Sequence, residues 1–178
     1  MSGIIGGVID FNNKGISKNL KDSMMETINL YNVDNTNYIL RDNYLMVSGQ
    51  VFITEENKSE VLPLHNEELV LVSDAILDNR IELIQIFNDD GYKINNTITD
   101  SELILMAYKK WGKDCPKNLL GDFNFVIWDE KKQELFCVRD HMGSRSFYYT
   151  FNNGIFAFGT LSNLIFPKVY NEGLNERW

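Results

Sequence analysis

Residues 118–160 read NLLGDFNFVIWDEKKQELFCVRDHMGSRSFYYTFNNGIFAFGT, and this stretch decides the fold. Phe123, Phe125 and Ile127 alternate with Asn124, Val126 and Trp128, the period-two pattern of a strand. The charged turn Asp129-Glu130-Lys131-Lys132 reverses the chain, and Leu135, Phe136, Cys137 and Val138 form a second, mostly apolar strand. Ser146–Phe151 and Ile155–Phe158 repeat the device through Asn152-Asn153-Gly154, a turn that favours positive φ. Cys137 reads as a small hydrophobe of a buried strand. Consecutive antiparallel strands with apolar residues on both faces expect cover on both sides, as in the middle of a layered domain.

The wording of the stretch is specific as well. Gly121-x-Phe123-x-Phe125-x-Ile127-Trp128-Asp129, then Leu135-Phe136, Arg139-Asp140-x-x-Gly143 and Phe147-Tyr148-Tyr149 resemble the glutaminase domain of asparagine synthetases. The resemblance implies a class II glutamine amidotransferase with the N-terminal-nucleophile (Ntn) hydrolase fold, an α+β, four-layer αββα sandwich of antiparallel sheets. It identifies a scaffold and leaves the activity to be argued from the site.

The totals bound the rest. A chain of 178 residues with 44% hydrophobic content is enough for a two-sided core. The net charge of −8 argues against nucleic acid and anionic membrane surfaces, which ask for clustered Lys and Arg. Cys115 and Cys137 are far apart, so neither a disulfide framework nor a metal site is indicated. No apolar run approaches ~20 residues and no signal peptide opens the chain, so a cytoplasmic address is expected.

Met1-Ser2-Gly3-Ile4-Ile5-Gly6-Gly7-Val8-Ile9 opens with an apolar, glycine-rich strand. In the resembling family the mature chain begins Cys-Gly-Ile, and that cysteine opens glutamine. Here Ser2 takes its place. An N-terminal nucleophile attacks an amide carbonyl while its own α-amine, with a pKa of about 7.7–8.0, takes the proton. Ser2 is therefore a candidate nucleophile only with Met1 removed; otherwise it is a small residue starting a buried strand.

Further departures follow. Ser17 is an N-cap for a helix with Leu20, Met24, Ile28 and Tyr31 on its apolar face. Tyr31–Asn37 falls where the family carries an Arg-Gly-Pro-Asp loop, of which only Asp34 survives. Tyr44–Ile53 alternates as a strand, and Gln50 stands where the resemblance implies an arginine gripping the carboxylate of glutamine. A neutral amide cannot form that bidentate ion pair. His65 reads as a solvated loop residue.

Leu69–Val72 is a buried strand running into Ser73-Asp74-Ala75-Ile76-Leu77-Asp78-Asn79-Arg80. The family reads Asn-Gly-Glu-Ile-Tyr-Asn here, with the asparagine amide and glycine N–H forming an oxyanion hole. Ser73 falls on the asparagine, Asp74 on the glycine and Ala75 on the glutamate. Loss of one such donor typically costs ~10²–10³ in rate. An Asp74 carboxylate turned inward would add negative charge where an oxyanion develops. Asp78 is expected to cap a helix running to about Phe87, with Asn79 and Arg80 fixing the corner. Asp89-Asp90-Gly91 ends that helix. Thr99-Asp100-Ser101-Glu102 is a capping box for the next one, which Trp111-Gly112 closes. Asp100 matches the family aspartate that binds the α-amine of glutamine, although an acid in a helix's first turn is favourable without a ligand. Arg139 and Asp140 read as holding the turn after their strand.

Two readings compete. In the first, residues 1–167 form a glutaminase-like domain and 168–178 begin a linker to an ATP-dependent synthetase domain. The scaffold then serves that partner without releasing ammonia, because the thiol, the arginine, the asparagine and the glutamate are all replaced. ATP and magnesium are expected only in the synthetase domain, whose Ser-Gly-Gly-x-Asp-Ser loop does not occur in this sequence. In the second, Ser2 with Met1 removed is the nucleophile of an active amidohydrolase acting on a substrate other than glutamine. Its own amine is the base and Asp100 a contact for a substrate amine; Gln50, Ser73, Asp74 and Asp100 are the positions that match the family's glutamine pocket. A third reading, a stand-alone binding or regulatory module, fits the same residues and is excluded by a synthetase domain downstream; a homodimer is compatible with each reading.

Overall fold

The computed structural model describes residues 3–53 and 56–165. Elements run in the order β1 (Ile4–Asp10), α1 (Lys18–Asn29), β2 (Asn35–Leu40), β3 (Tyr44–Gln50), β4 (Leu64–Asn66), β5 (Leu69–Leu77), α2 (Arg80–Asp89), α3 (Asp100–Trp111), β6 (Gly121–Asp129), β7 (Glu134–Arg139), β8 (Tyr148–Asn152), β9 (Ile155–Gly159) and α4 (Ser162–Ile165). The fold is α+β: two antiparallel sheets and four helices among the described residues. The expected linker from 168 lies outside the described residues, as does Ser2.

The chain divides into two compact units. One comprises Val51–Arg145 and carries the sheet β4-β5-β6-β7. Leu71, Leu77, Phe123, Phe125 and Ile127 of that sheet share a core with Leu83 and Phe87 of α2 and Leu103, Ile104 and Ala107 of α3. The alternate residues Val70, Val72, Val126 and Trp128 are buried too. Strands buried on both faces explain why β6 reads as a nearly unbroken apolar run.

The other unit is built from the residues before Val51 together with those from Ser146 onward. Its sheet runs β2-β3-β1-β9-β8, and Ile4, Val8, Leu45, Val47 and Ala157 pack against Met24 and Ile28 of α1 and Leu164 and Ile165 of α4. Gly7 of β1 has a specific reason to be glycine. A Cβ there would lie 2.6 Å from the Leu45 carbonyl oxygen and 2.7 Å from the Phe158 ring.

The two hairpins of 118–160 therefore belong to different sheets, with the division falling between Arg145 and Ser146. Their cover also differs: β6 is buried from Phe123 to Asp129, whereas β8 is an edge strand with four of its five residues exposed. Cys137 is exposed on the outer strand β7 rather than buried, and His65 lies within the short strand β4 rather than in a loop. Local punctuation follows the sequence closely. Ser17 Oγ accepts the Leu20 N–H at 3.2 Å, and Asn153 and Gly154 take φ of 49° and 74°. Gly91 leaves α2 with φ 95°.

Candidate functional site

Ser73, Asp74 and Asp100 fall in the Val51–Arg145 unit, around the end of β5 and the start of α3. α3 begins where it does because Thr99 Oγ1 accepts the Glu102 N–H at 3.2 Å while the Glu102 carboxylate accepts the Thr99 N–H at 2.8 Å. This box sets the first turn of α3.

Asp100 is buried in that turn and fully engaged. Its carboxylate accepts the Leu77 N–H at 3.1 Å and forms an ion pair with Arg80 Nη1. Arg80 is itself anchored, donating through Nη2 to the Ile98 carbonyl at 2.6 Å and the Asn96 carbonyl at 3.3 Å. Asn79 completes the corner: its Nδ2 donates to the Asn118 carbonyl at 3.0 Å and its Oδ1 accepts the Leu120 N–H at 3.0 Å. Asn79, not Asp78, takes the N-cap position of α2, and it caps by spanning to the approach of β6 instead of bonding α2's own first turn.

Ser73 and Asp74 point to opposite faces of β5, as the strand period requires. The Ser73 hydroxyl meets that of Ser101 on α3. Ser101 also donates its N–H to half-buried Glu60 at 3.2 Å. Burial, with the nearby charges of Asp100 and Glu102, holds the Glu60 carboxyl above the usual carboxylate range against the pull of the Ser101 donors. Asp74 lies beside Asn124 of β6, and both its carboxylate oxygens are reached by Arg145 Nη1. The Asp74 charge thus sits on the face of β5 opposite Ser73 and is paired with Arg145.

Gln50, in the other unit, is buried at the end of β3; its side-chain oxygen accepts from Asn35 Nδ2 at 3.1 Å and its carbonyl accepts the Asp34 N–H at 2.8 Å. The thiol of Cys115 is pushed up to about 12 by burial, so it is no thiolate at neutral pH. Among the described residues no three His, Cys, Asp or Glu side chains gather as a metal site, and no helix is long and apolar enough to cross a membrane. Arg145 was not singled out by sequence reasoning. The only signal for it is an arginine two residues beyond the glycine of the Arg-Asp-x-x-Gly turn.

Against known families, residues 50–166 match the model of a glutamine amidotransferase domain. The chain belongs to that family. The chain is 32% identical over 146 residues to the putative asparagine synthetase [glutamine-hydrolyzing] 2 of Methanocaldococcus jannaschii, covering 82% of this chain and 24% of that one. It is 27% identical over 165 residues to asparagine synthetase [glutamine-hydrolyzing] 3 of Bacillus subtilis, covering 90% and 26%. The amidotransferase domain thus spans about a quarter of the length of these curated relatives. Among solved structures, the glutamine phosphoribosylpyrophosphate amidotransferase of B. subtilis matches 88% of this chain and 41% of its own, with a TM-score of 0.70 at 13% identity. That likeness carries the fold, the Ntn-hydrolase amidotransferase architecture.

Proposed function

We propose that this amidotransferase domain releases no ammonia from glutamine and serves as the non-hydrolysing partner of an ATP-dependent, amide-forming domain of the asparagine synthetase kind. The observation that supports this reading is the engagement of Asp100. The acid matching the family's amine-binding aspartate is neutralised by Arg80 and accepts the Leu77 N–H, so an incoming ammonium group would have to displace an internal guanidinium. Ser73 and Gln50 add to it, since a hydroxyl committed to Ser101 and a neutral amide replace an oxyanion donor and a carboxylate-gripping cation. The curated relatives carry glutamine hydrolysis in their names; this domain departs from the pattern of the family it resembles at Ser2, Gln50, Ser73 and Ala75. ATP and magnesium would be bound by the partner domain.

The test is incubation with glutamine under release of both glutamate and ammonia. No turnover above the Ser2→Ala variant is expected. Turnover that disappears in Ser2→Ala, in protein whose intact mass lacks Met1, would overturn the proposal.

A further inference from the structure

The sheet edges among the described residues are not alike. β2 is flanked by Asp34, Arg41 and Asp42, and the Lys21 ammonium lies 4.9 Å over its Tyr38 ring. β4 is three residues long, and β7 carries Glu134, paired with Lys113, at one end and Arg139 at the other. Short or charged edges of this kind discourage strand addition. β8 has no such guard. From Ser146 to Ile165 there is no Asp, Glu, Lys or Arg, in a chain that is 24% charged. Among the described residues, no strand pairs with its outer side.

The same edge displays aromatic surface. Tyr149 is 66% exposed, Phe151 62%, Tyr148 44% and the neighbouring Phe11 42%. Tyr149 stacks on Phe156 at 5.8 Å, and Phe11 meets Phe151 edge-on at 6.2 Å, so these rings are held in place before any partner arrives. At ~200 Å² per aromatic side chain, they leave on the order of 450 Å² of ring surface in water. That matches the largest patches of ordinary monomers, and it is about half of the ~800 Å² that each partner gives to a stable interface. The outer backbone of β8, unpaired among the described residues, and the polar Asn152-Asn153 turn can contribute the remainder.

We propose that β8 is the contact between two copies of this chain, adding antiparallel to β8 of the second copy across a twofold axis at Thr150. Centring on Thr150, the middle residue of the strand, sets Tyr149 of one copy opposite Phe151 of the other and Tyr148 opposite Asn152. Such a contact is self-complementary and closes at two. Two chains of net charge −8 repel in general, and this uncharged segment is where they meet without like charges face to face.

Sedimentation equilibrium of the chain from ~1 to ~200 µM tests it. The expected species is a dimer, twice 20.6 kDa. The double variant Tyr149→Lys/Phe151→Lys, at exposed positions, should keep the wild-type circular dichroism and weaken the dimer by at least ~100-fold. Tyr38→Lys on the opposite edge of the same sheet should leave it unchanged. A monomer throughout the range overturns the proposal. A dimer insensitive to the double variant, or lost in Tyr38→Lys, overturns it as well.

Discussion

Arg145 Nη1 lies 2.9 and 3.0 Å from the two carboxylate oxygens of Asp74, and the Arg145 Nε donates to the Asp122 carbonyl at 3.2 Å. The two side chains are only 10% and 7% exposed. A carboxylate in the interior of a strand is thus paired with the last residue of its own unit.

Removing one member of such a pair strands the other. Arg145→Met is expected to cost about 3–5 kcal/mol, whereas Arg145→Met combined with Asp74→Asn should recover most of that loss. Urea denaturation of the singles and the double, read as a cycle, checks it. A double variant as unstable as Arg145→Met alone would refute the coupling.

Arg80 is expected to be structural. Arg80→Ala abandons Asp100 and the Ile98 and Asn96 carbonyls together, and should lower stability by about 3 kcal/mol. It should produce no glutamine hydrolysis, because freeing Asp100 restores neither an oxyanion donor nor a carboxylate-gripping cation. Ammonia release by Arg80→Ala would mean that the ion pair masks an otherwise competent pocket.

Two carboxyls should respond to pH in opposite directions. Burial alone would raise the Asp10 value, but the N–H groups of Asn12, Lys14 and Gly15, at 2.9, 2.7 and 3.0 Å, outweigh it and hold it below the ordinary range. Its contribution is complete above the unfolded value of about 3.9 and is lost as pH falls through the lower folded value. Wild type should lose its advantage over Asp10→Asn only in acid. Glu60 is held high, chiefly by burial, so the native state keeps its proton longer than the unfolded chain does. Stability from this group declines as pH rises from the unfolded carboxylate value, about 4.3, through the raised one. Glu60→Gln should therefore gain on wild type as pH rises over that window. Urea midpoints measured against pH check both.

Gly7→Ala drives a methyl into the Leu45 carbonyl and the Phe158 ring, with an expected cost of about 3 kcal/mol, the upper end for overpacking. Gly91→Ala meets open space and pays only for its φ of 95°, about 1–2 kcal/mol. Thermal midpoints of the two variants should rank in that order.

Features set by a few neighbouring residues were legible in the sequence. The Thr99–Glu102 box, the Ser17 cap and the Asn153-Gly154 turn need nothing beyond their own segment, and the structure has all three. Features set by strand register were not legible. Alternation identified both hairpins of 118–160, yet only pairing partners remote in sequence decide that β6 joins β5 while β9 joins β1. The Asp74 side chain's face likewise depends on pairing Asp74 with Asn124, and Arg145 finds Asp74 through tertiary geometry alone. Asn79 displaced Asp78 at the helix entry because its amide can both donate to Asn118 and accept from Leu120, which a carboxylate cannot do.

The pairing of Gly6 with Gly159 has a consequence for biosynthesis. A ribosome delivers β1 first, and β3 reaches it soon after, but its other flank stays open until β9 emerges roughly a hundred and fifty residues later. The Val51–Arg145 unit is complete before then and is free to condense as a nested body. Until then β1, with the apolar side chains of Ile4, Ile5, Val8 and Ile9, has a neighbour on one side only.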